Sequence, residues 1–150
     1  MNVRVRGRTR HFRTVSFDAG ANAVCLIDQR ALPHRFRVVR TATTAATAAA
    51  IRDMTVRGAG AIGATAAYGL AQGARAFRGT DRRRFEKHLD AIFARLRDAR
   101  PTAVDPVNAM LSVRAAMTRG TTVREQQDRA LQAAGDFAEE NIAHCRSIGE

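Results

Sequence analysis

Tryptophan is absent from this chain, tyrosine occurs once, and aromatic residues make up only 5% of it. That argues against the stacking platforms that hold single-stranded nucleic acid, and it leaves little bulk for the core of a large sheet. No run approaches the roughly 18 consecutive apolar residues of a membrane-spanning helix, so no membrane partner is expected. The first residues, MNVRVRGRTRHFR, hold no apolar stretch of the kind a secretory leader carries. The two cysteines, Cys25 and Cys145, have neither metal spacing nor a disulfide framework, a usage that suits a reducing cytoplasm. His11, His34 and His88 are scattered singly and read as surface residues.

Lysine is nearly missing as well. Only Lys87 stands among 25 basic residues, so the net charge of +11 is carried by arginine. Such a skew, beside so much alanine, fits a genomic composition bias as readily as a function. The nearest thing to a patch is Arg4, Arg6, Arg8, Arg10 and Arg13, whose mostly alternate spacing predicts a shared strand face. The arginines form no single block and no aromatic platform interleaves them, which argues against a nucleic-acid partner. At 150 residues the chain is one domain, or one domain of something larger.

What is present is alanine, which favours closely packed helices over a broad sheet. The expected fold is α+β with helices dominant: a small antiparallel sheet over 1–40, then a helical part of the same domain over 41–150. FRTVSF and AVCLID flank the turn-prone Asp18 to Asn22 and predict a hairpin. Leu32-Pro33 breaks the pattern, and RFRVV offers a third short strand. From Thr41 the pattern turns helical, with Thr43 or Thr44 as cap. After a loop over Thr55 to Gly60, a second helix reaches about Phe77. Thr80 or Asp81 caps a third, whose Phe85, Leu89, Ile92, Phe93 and Leu96 form one buried stripe. Val104, Val107, Met110, Leu111 and Met117 are the apolar members of a fourth. Thr122 and Glu125 make a capping box for the fifth, with Leu131, Ala134, Ala138, Ile142 and Cys145 as its stripe. Cys145 therefore reads as a buried helix cysteine, and Cys25, within a strand, as core.

One stretch carries chemistry. In IRDMTVRGAGAIGATAAYGL, residues 51–70, Arg57 precedes glycines 58, 60 and 63 at the entrance to an Ala-rich helix. Small residues let a ligand approach the backbone, and a helix entrance offers unpaired N–H groups at its positive end. An arginine beside it adds a bidentate cation suited to phosphate oxygens. The bland alternative is that Arg57 pairs with Asp53 and the glycines serve helix packing.

DMTVRGAGAIGATAAYGLA resembles the substrate loop of the methylthioribose-1-phosphate isomerase family. That superfamily also holds archaeal ribose-1,5-bisphosphate isomerases and the regulatory subunits of translation initiation factor 2B. LIDQRALP at 26–33, RPTAVD at 100–105 and AEENIAHCRSIGE at 138–150 agree with it in order and spacing. The resemblance implies isomerisation of an aldose 1-phosphate to the ketose 1-phosphate without metal or nucleotide cofactor. It maps substrate contacts to Arg57, Gly58 and Ala59, and a second arginine to Arg100. Two arginines sharing a dianionic phosphate are chemically apt, and Arg100, before Pro101, sits at a helix entrance. Gly60 stands where isomerases usually carry proline, and RGAG resembles the ribose-1,5-bisphosphate branch; LIDQRALP and IGATAAYGLA resemble the methylthioribose branch. Asp105-Pro106 replaces the usual Asn-Leu, placing an acid near Arg100.

The resemblance also implies what lies outside. In the family a cysteine and an aspartate of a C-terminal Rossmann-like half carry the transfer, so no catalytic residue is expected in this chain. The implied partners are the sugar-phosphate substrate, that C-terminal domain in the same or a separate chain, and a second copy in a homodimer of the complete protein. A non-catalytic module that binds a sugar phosphate, like the initiation-factor subunits, is the reading from another class.

Overall fold

The computed structural model describes residues 1–148. Gly149 and Glu150, the last two residues of the fourth motif, lie outside them. The chain opens with a hairpin that the strand patterning did not predict, β1 (Asn2–Val5) against β2 (Arg8–His11). Arg6 and Gly7 form its two-residue turn, both with positive φ (49° and 79°), the conformation that matches strand twist. The usual Asn-Gly or Asp-Gly signal is replaced by Arg-Gly, which hides the turn. This hairpin also corrects the arginine patch. Arg4 lies opposite Thr9, whereas Arg8 and Arg10 lie opposite Val5 and Val3, so the arginines divide between the two faces.

A separate sheet follows, in the order β3 (Val15–Asp18), β4 (Ala23–Ile27), β5 (Val38–Thr41), antiparallel throughout. The hairpin β3–β4 and the third strand are those the sequence pattern predicts. Val15, Val24 and Leu26 are buried on one face, while on the other Cys25, between buried Ala23 and Ile27, is only half-buried, beside Arg40. The expectation of Cys25 as core is corrected to a half-buried position in the middle of β4.

Five helices make up the rest. Thr43 caps α1 (Thr44–Arg52) by accepting the Ala46 N–H, 3.1 Å. The central helix is α2 (Ala59–Ala76), buried at every position from Ile62 to Ala74. It packs against α1, against α3 (Arg82–Ala99), α4 (Val104–Met117) and α5 (Val123–Ile148), and against β3 and β4. A helix covered on all sides needs apolar or small residues all round, which explains its alanines and glycines. Asp81 caps α3, whose Phe85, Leu89, Ile92 and Leu96 are buried, each contributing about 1.5–3 kcal/mol by leaving water. Thr122 accepts the Glu125 N–H at the start of α5, and the Glu125 carboxylate reaches back to the Thr121 N–H.

In two helices some of the expected apolar residues are not buried. In α4 the buried members are Pro106, Ala109, Met110, Val113 and Met117, while Val104 and Leu111 are exposed. Pro106, in the first turn where no intrahelical N–H is needed, is part of the core. In α5 the buried positions are Val123, Gln126, Ala130, Ala134 and Ala138. Cys145 is exposed, not buried as expected. The last turns of α5 run past the core, so the stripe continues in sequence without a surface to cover it.

The sheet is fastened to α2 by a buried polar cluster. The Gln72 amide donates to the carbonyls of Thr41 (2.7 Å) and Asn22 (3.0 Å) and accepts from the Thr47 hydroxyl (2.8 Å). Buried amides hold position only when so satisfied.

Candidate functional site

The loop before α2 is built by its neighbours. Thr55 and Val56 are buried and anchor it, Met54 before them has φ 62°, and Gly58 has φ 91° and ψ 137°. A side chain at Gly58 meets no atom within 4 Å, so backbone conformation and not space requires glycine there. Gly58 is also the N-cap of α2 and supplies no side-chain cap. Consequently the first N–H groups of α2, at Ala59, Gly60 and Ala61, donate to no acceptor among the described residues.

The LIDQR motif holds this loop from behind. The Gln29 N–H donates to the Thr55 carbonyl (2.9 Å), and Arg30 reaches Asp53 at 3.3 Å. Asp28, only 1% exposed, accepts from the Arg30 Nε and N–H and from Arg37. Its hydrogen bond from the Arg30 side chain, with that from Arg37 beside it, holds the Asp28 carboxyl well below the usual carboxylate range, although burial acts the other way.

In front of the loop lies a cavity of about 610 Å³. Arg57, Gly58, Ala59 and Gly60 form one side, with Arg13 and Gln29 nearby and Asn141, Cys145 and Arg146 contributed by α5. Asp53 is engaged by Arg30 and Thr55, and Arg57 has no carboxylate within 4 Å among the described residues. The alternative pairing of Arg57 with Asp53 is thereby set aside. Arg13, by contrast, is already paired with Glu139. The cavity therefore combines exposed guanidinium groups that make no ion pair among the described residues, Arg57 and Arg146, with undonated helix N–H groups, an arrangement that stabilises an anion.

Of the four residues picked out by sequence, three come together in this cavity: Arg57, Gly58 and Ala59. Arg100 is not in its lining. It is the C-cap of α3, half-buried, in the turn that leads to α4. The first turn of α4 packs on α2, for the Asp105 carbonyl comes within 3.5 Å of where a Gly63 side chain would begin. No ion pair joins Asp105 to Arg100 among the described residues. Sequence reasoning missed Gln29, Asn141 and Arg146. All three sit inside the quoted motifs LIDQRALP and AEENIAHCRSIGE, whose amides were there to be noticed.

Fold and cavity together define an α+β domain with an arginine-lined opening at the entrance of its central helix. The sequence profile of the Initiation factor 2 subunit family matches residues 55–150. Methylthioribose-1-phosphate isomerase of Thermosynechococcus vestitus is 44% identical over 128 residues, covering 85% of this chain and 36% of that protein. Its counterpart from Sinorhizobium medicae is 43% identical over 140 residues, covering 93% and 36%. Among solved structures, subunit delta of translation initiation factor eIF-2B from A. fulgidus superposes with a TM-score of 0.81. It is 32% identical, and the match covers 88% of this chain and 38% of that one. The 5-methylthioribose 1-phosphate isomerase of Pyrococcus horikoshii gives 0.79 at 32% identity, covering 85% and 36%. The chain belongs to the Initiation factor 2 subunit family. It spans little more than a third of the length of the isomerases it resembles.

Proposed function

We propose that this chain is the phosphate-anchoring N-terminal part of an aldose–ketose isomerase that converts S-methyl-5-thioribose 1-phosphate to S-methyl-5-thioribulose 1-phosphate, a step of methionine salvage. The observation that carries the proposal is Arg57, free of any carboxylate among the described residues, beside the undonated N–H groups that open α2. The names and identities of the isomerase relatives support the substrate class. Arg57 would take two phosphate oxygens, and the backbone at Gly58 and Ala59 a third. Arg100, at the neighbouring entrance of α4, would approach the same dianion from the other side. No metal or nucleotide enters this scheme, and its setting is the cytoplasm.

Anchoring the phosphate orients C1 and C2 of the sugar, which is a catalytic contribution even where the reacting groups lie elsewhere. In this reading the cysteine and aspartate that move hydrogen between the carbons belong to a C-terminal Rossmann-like partner, and the complete protein is a homodimer. The 150-residue chain alone binds the sugar phosphate and does not turn it over.

Calorimetric titration with a sugar 1-phosphate tests the anchor. Arg57→Ala should weaken binding by about tenfold or more, the loss of a charge-assisted bidentate contact, and Arg100→Ala should weaken it as well. Binding that survives both substitutions refutes the anchor. A second reading, a sugar-phosphate-binding regulatory module, draws on the equally close superposition with eIF-2B subunit delta. Isomerase activity on addition of a separately produced C-terminal half decides for the enzyme.

A further inference from the structure

The cavity has a second kind of lining that the phosphate anchor does not use. Two neutral carboxamides line it, Gln29 two residues beyond β4 and Asn141 on α5. Neither side-chain amide has a hydrogen-bond partner among the described residues, although the Gln29 backbone N–H is committed to Thr55. Both are half-buried. A carboxamide donates and accepts at once, which suits a hydroxyl, whereas a phosphate oxygen is better served by a guanidinium or an N–H group.

Asn141 is seated by a specific absence. A Cβ built on Gly60 would overlap the Asn141 side chain, with its Cγ only 2.6 Å away. The amide thus occupies the notch that glycine leaves in the first turn of α2, one residue beyond Ala59. Any larger residue at 60 would displace it. Gly60 is not held there by backbone conformation, for unlike Gly58 its φ is not positive.

We infer that Asn141 and Gln29 read the sugar hydroxyls of the ligand whose phosphate Arg57 holds, with Gly60 kept small so that the Asn141 amide can sit against α2. The inference rests on the phosphate-anchoring reading above. It makes positions 60 and 141 a coupled pair: glycine at 60 admits an amide from α5, and a bulkier residue at 60 excludes it.

The test titrates ribose 1-phosphate and, separately, inorganic phosphate into the 150-residue chain. Asn141→Ala and Gln29→Ala should each weaken ribose 1-phosphate about fivefold, the worth of one net hydrogen bond, and leave inorganic phosphate unchanged. Gly60→Ala should produce the same sugar-selective loss without lowering the thermal midpoint, since alanine suits a helix better than glycine. The double variant Gly60→Ala/Asn141→Ala should be no weaker than either single one, because both remove the same contact. Equal losses for the two ligands, no loss for either, or additive losses at 60 and 141 would overturn the inference while leaving the anchor standing. If Arg57→Ala leaves both affinities intact, or the parent chain binds neither ligand, the anchor fails and the sugar contacts fall with it.

Discussion

The two ends of α2 use glycine for opposite purposes. At the C-terminal end, a side chain on Gly69 would begin 3.0 Å from the Thr47 methyl and 3.1 Å from Leu96. At Gly73 it would press on Ile92 and lie 2.9 Å from the Thr44 hydroxyl. Those glycines let α1 and α3 close upon α2. At the N-terminal end, Gly58 faces empty space and Gly60 meets only an amide that borders a cavity. One end is held by packing, and the other is held open by backbone conformation and by hydrogen bonds from the LIDQR segment. The same small-residue pattern therefore encodes a core at one end and an opening at the other.

Gly73→Val should break the packed end, and its effect is the largest. The added carbons must push Ile92 and Thr44 apart, an overpacking cost of about 3 kcal/mol, read as a lower midpoint in urea unfolding with phosphate affinity retained in the folded fraction.

Asp28→Asn tests the support of the open end. It removes a buried charge that Arg30 and Arg37 satisfy, and should cost about 2 kcal/mol, less than a fully buried pair because both arginines are partly exposed. The pH dependence follows from the lowered pKa of Asp28. Its contribution is complete above the ordinary aspartate pKa of 3.8 and is lost as pH falls below that value through the depressed folded one. Unfolding free energy measured from neutral pH downwards should therefore fall more steeply below that point in the parent than in Asp28→Asn.

Gly58→Ala gives the smallest loss of stability, about 1 kcal/mol, from forcing a side chain to φ 91°. Its sharper consequence should be weaker phosphate binding, as the loop relaxes away from that conformation and redirects the first N–H groups of α2. A variant with normal phosphate affinity would show that the loop's shape is not what makes the open end a site.

Much of the fold was legible from the sequence because its elements carry local signals. Asp81 and Thr43 cap helices by bonding their own backbone, and the Phe85 to Leu96 stripe announces α3 by period alone. The β1–β2 hairpin was not legible, since its turn is Arg-Gly and its strands alternate arginine with residues that meet no core. Cys145 was misjudged for a related reason: periodicity tells which residues share a face, and only the length of the opposing surface tells where that face stops being covered.

The candidate site was half legible. Arg57 with its glycines can be read as a helix entrance because cap, glycine and arginine are neighbours in the chain. That Asp53 is taken by Arg30, leaving Arg57 uncommitted, required knowing that a segment more than twenty residues earlier folds back against the loop. Gln29 and Asn141 meet at the cavity from distant parts of the chain, and no local pattern announces such a meeting.

The sequence by itself determined the buried stripe of α3, the caps of α1, α3 and α5, the arginine–glycine entrance of α2 and the resemblance that names a family, because each depends on residues within a turn or two of one another. Only the tertiary structure decided which glycines of α2 are packed and which stand open, and that Arg57 is left without a carboxylate among the described residues. Those outcomes depend on what lies opposite a residue across the fold, and the space around a side chain is a property of several segments at once.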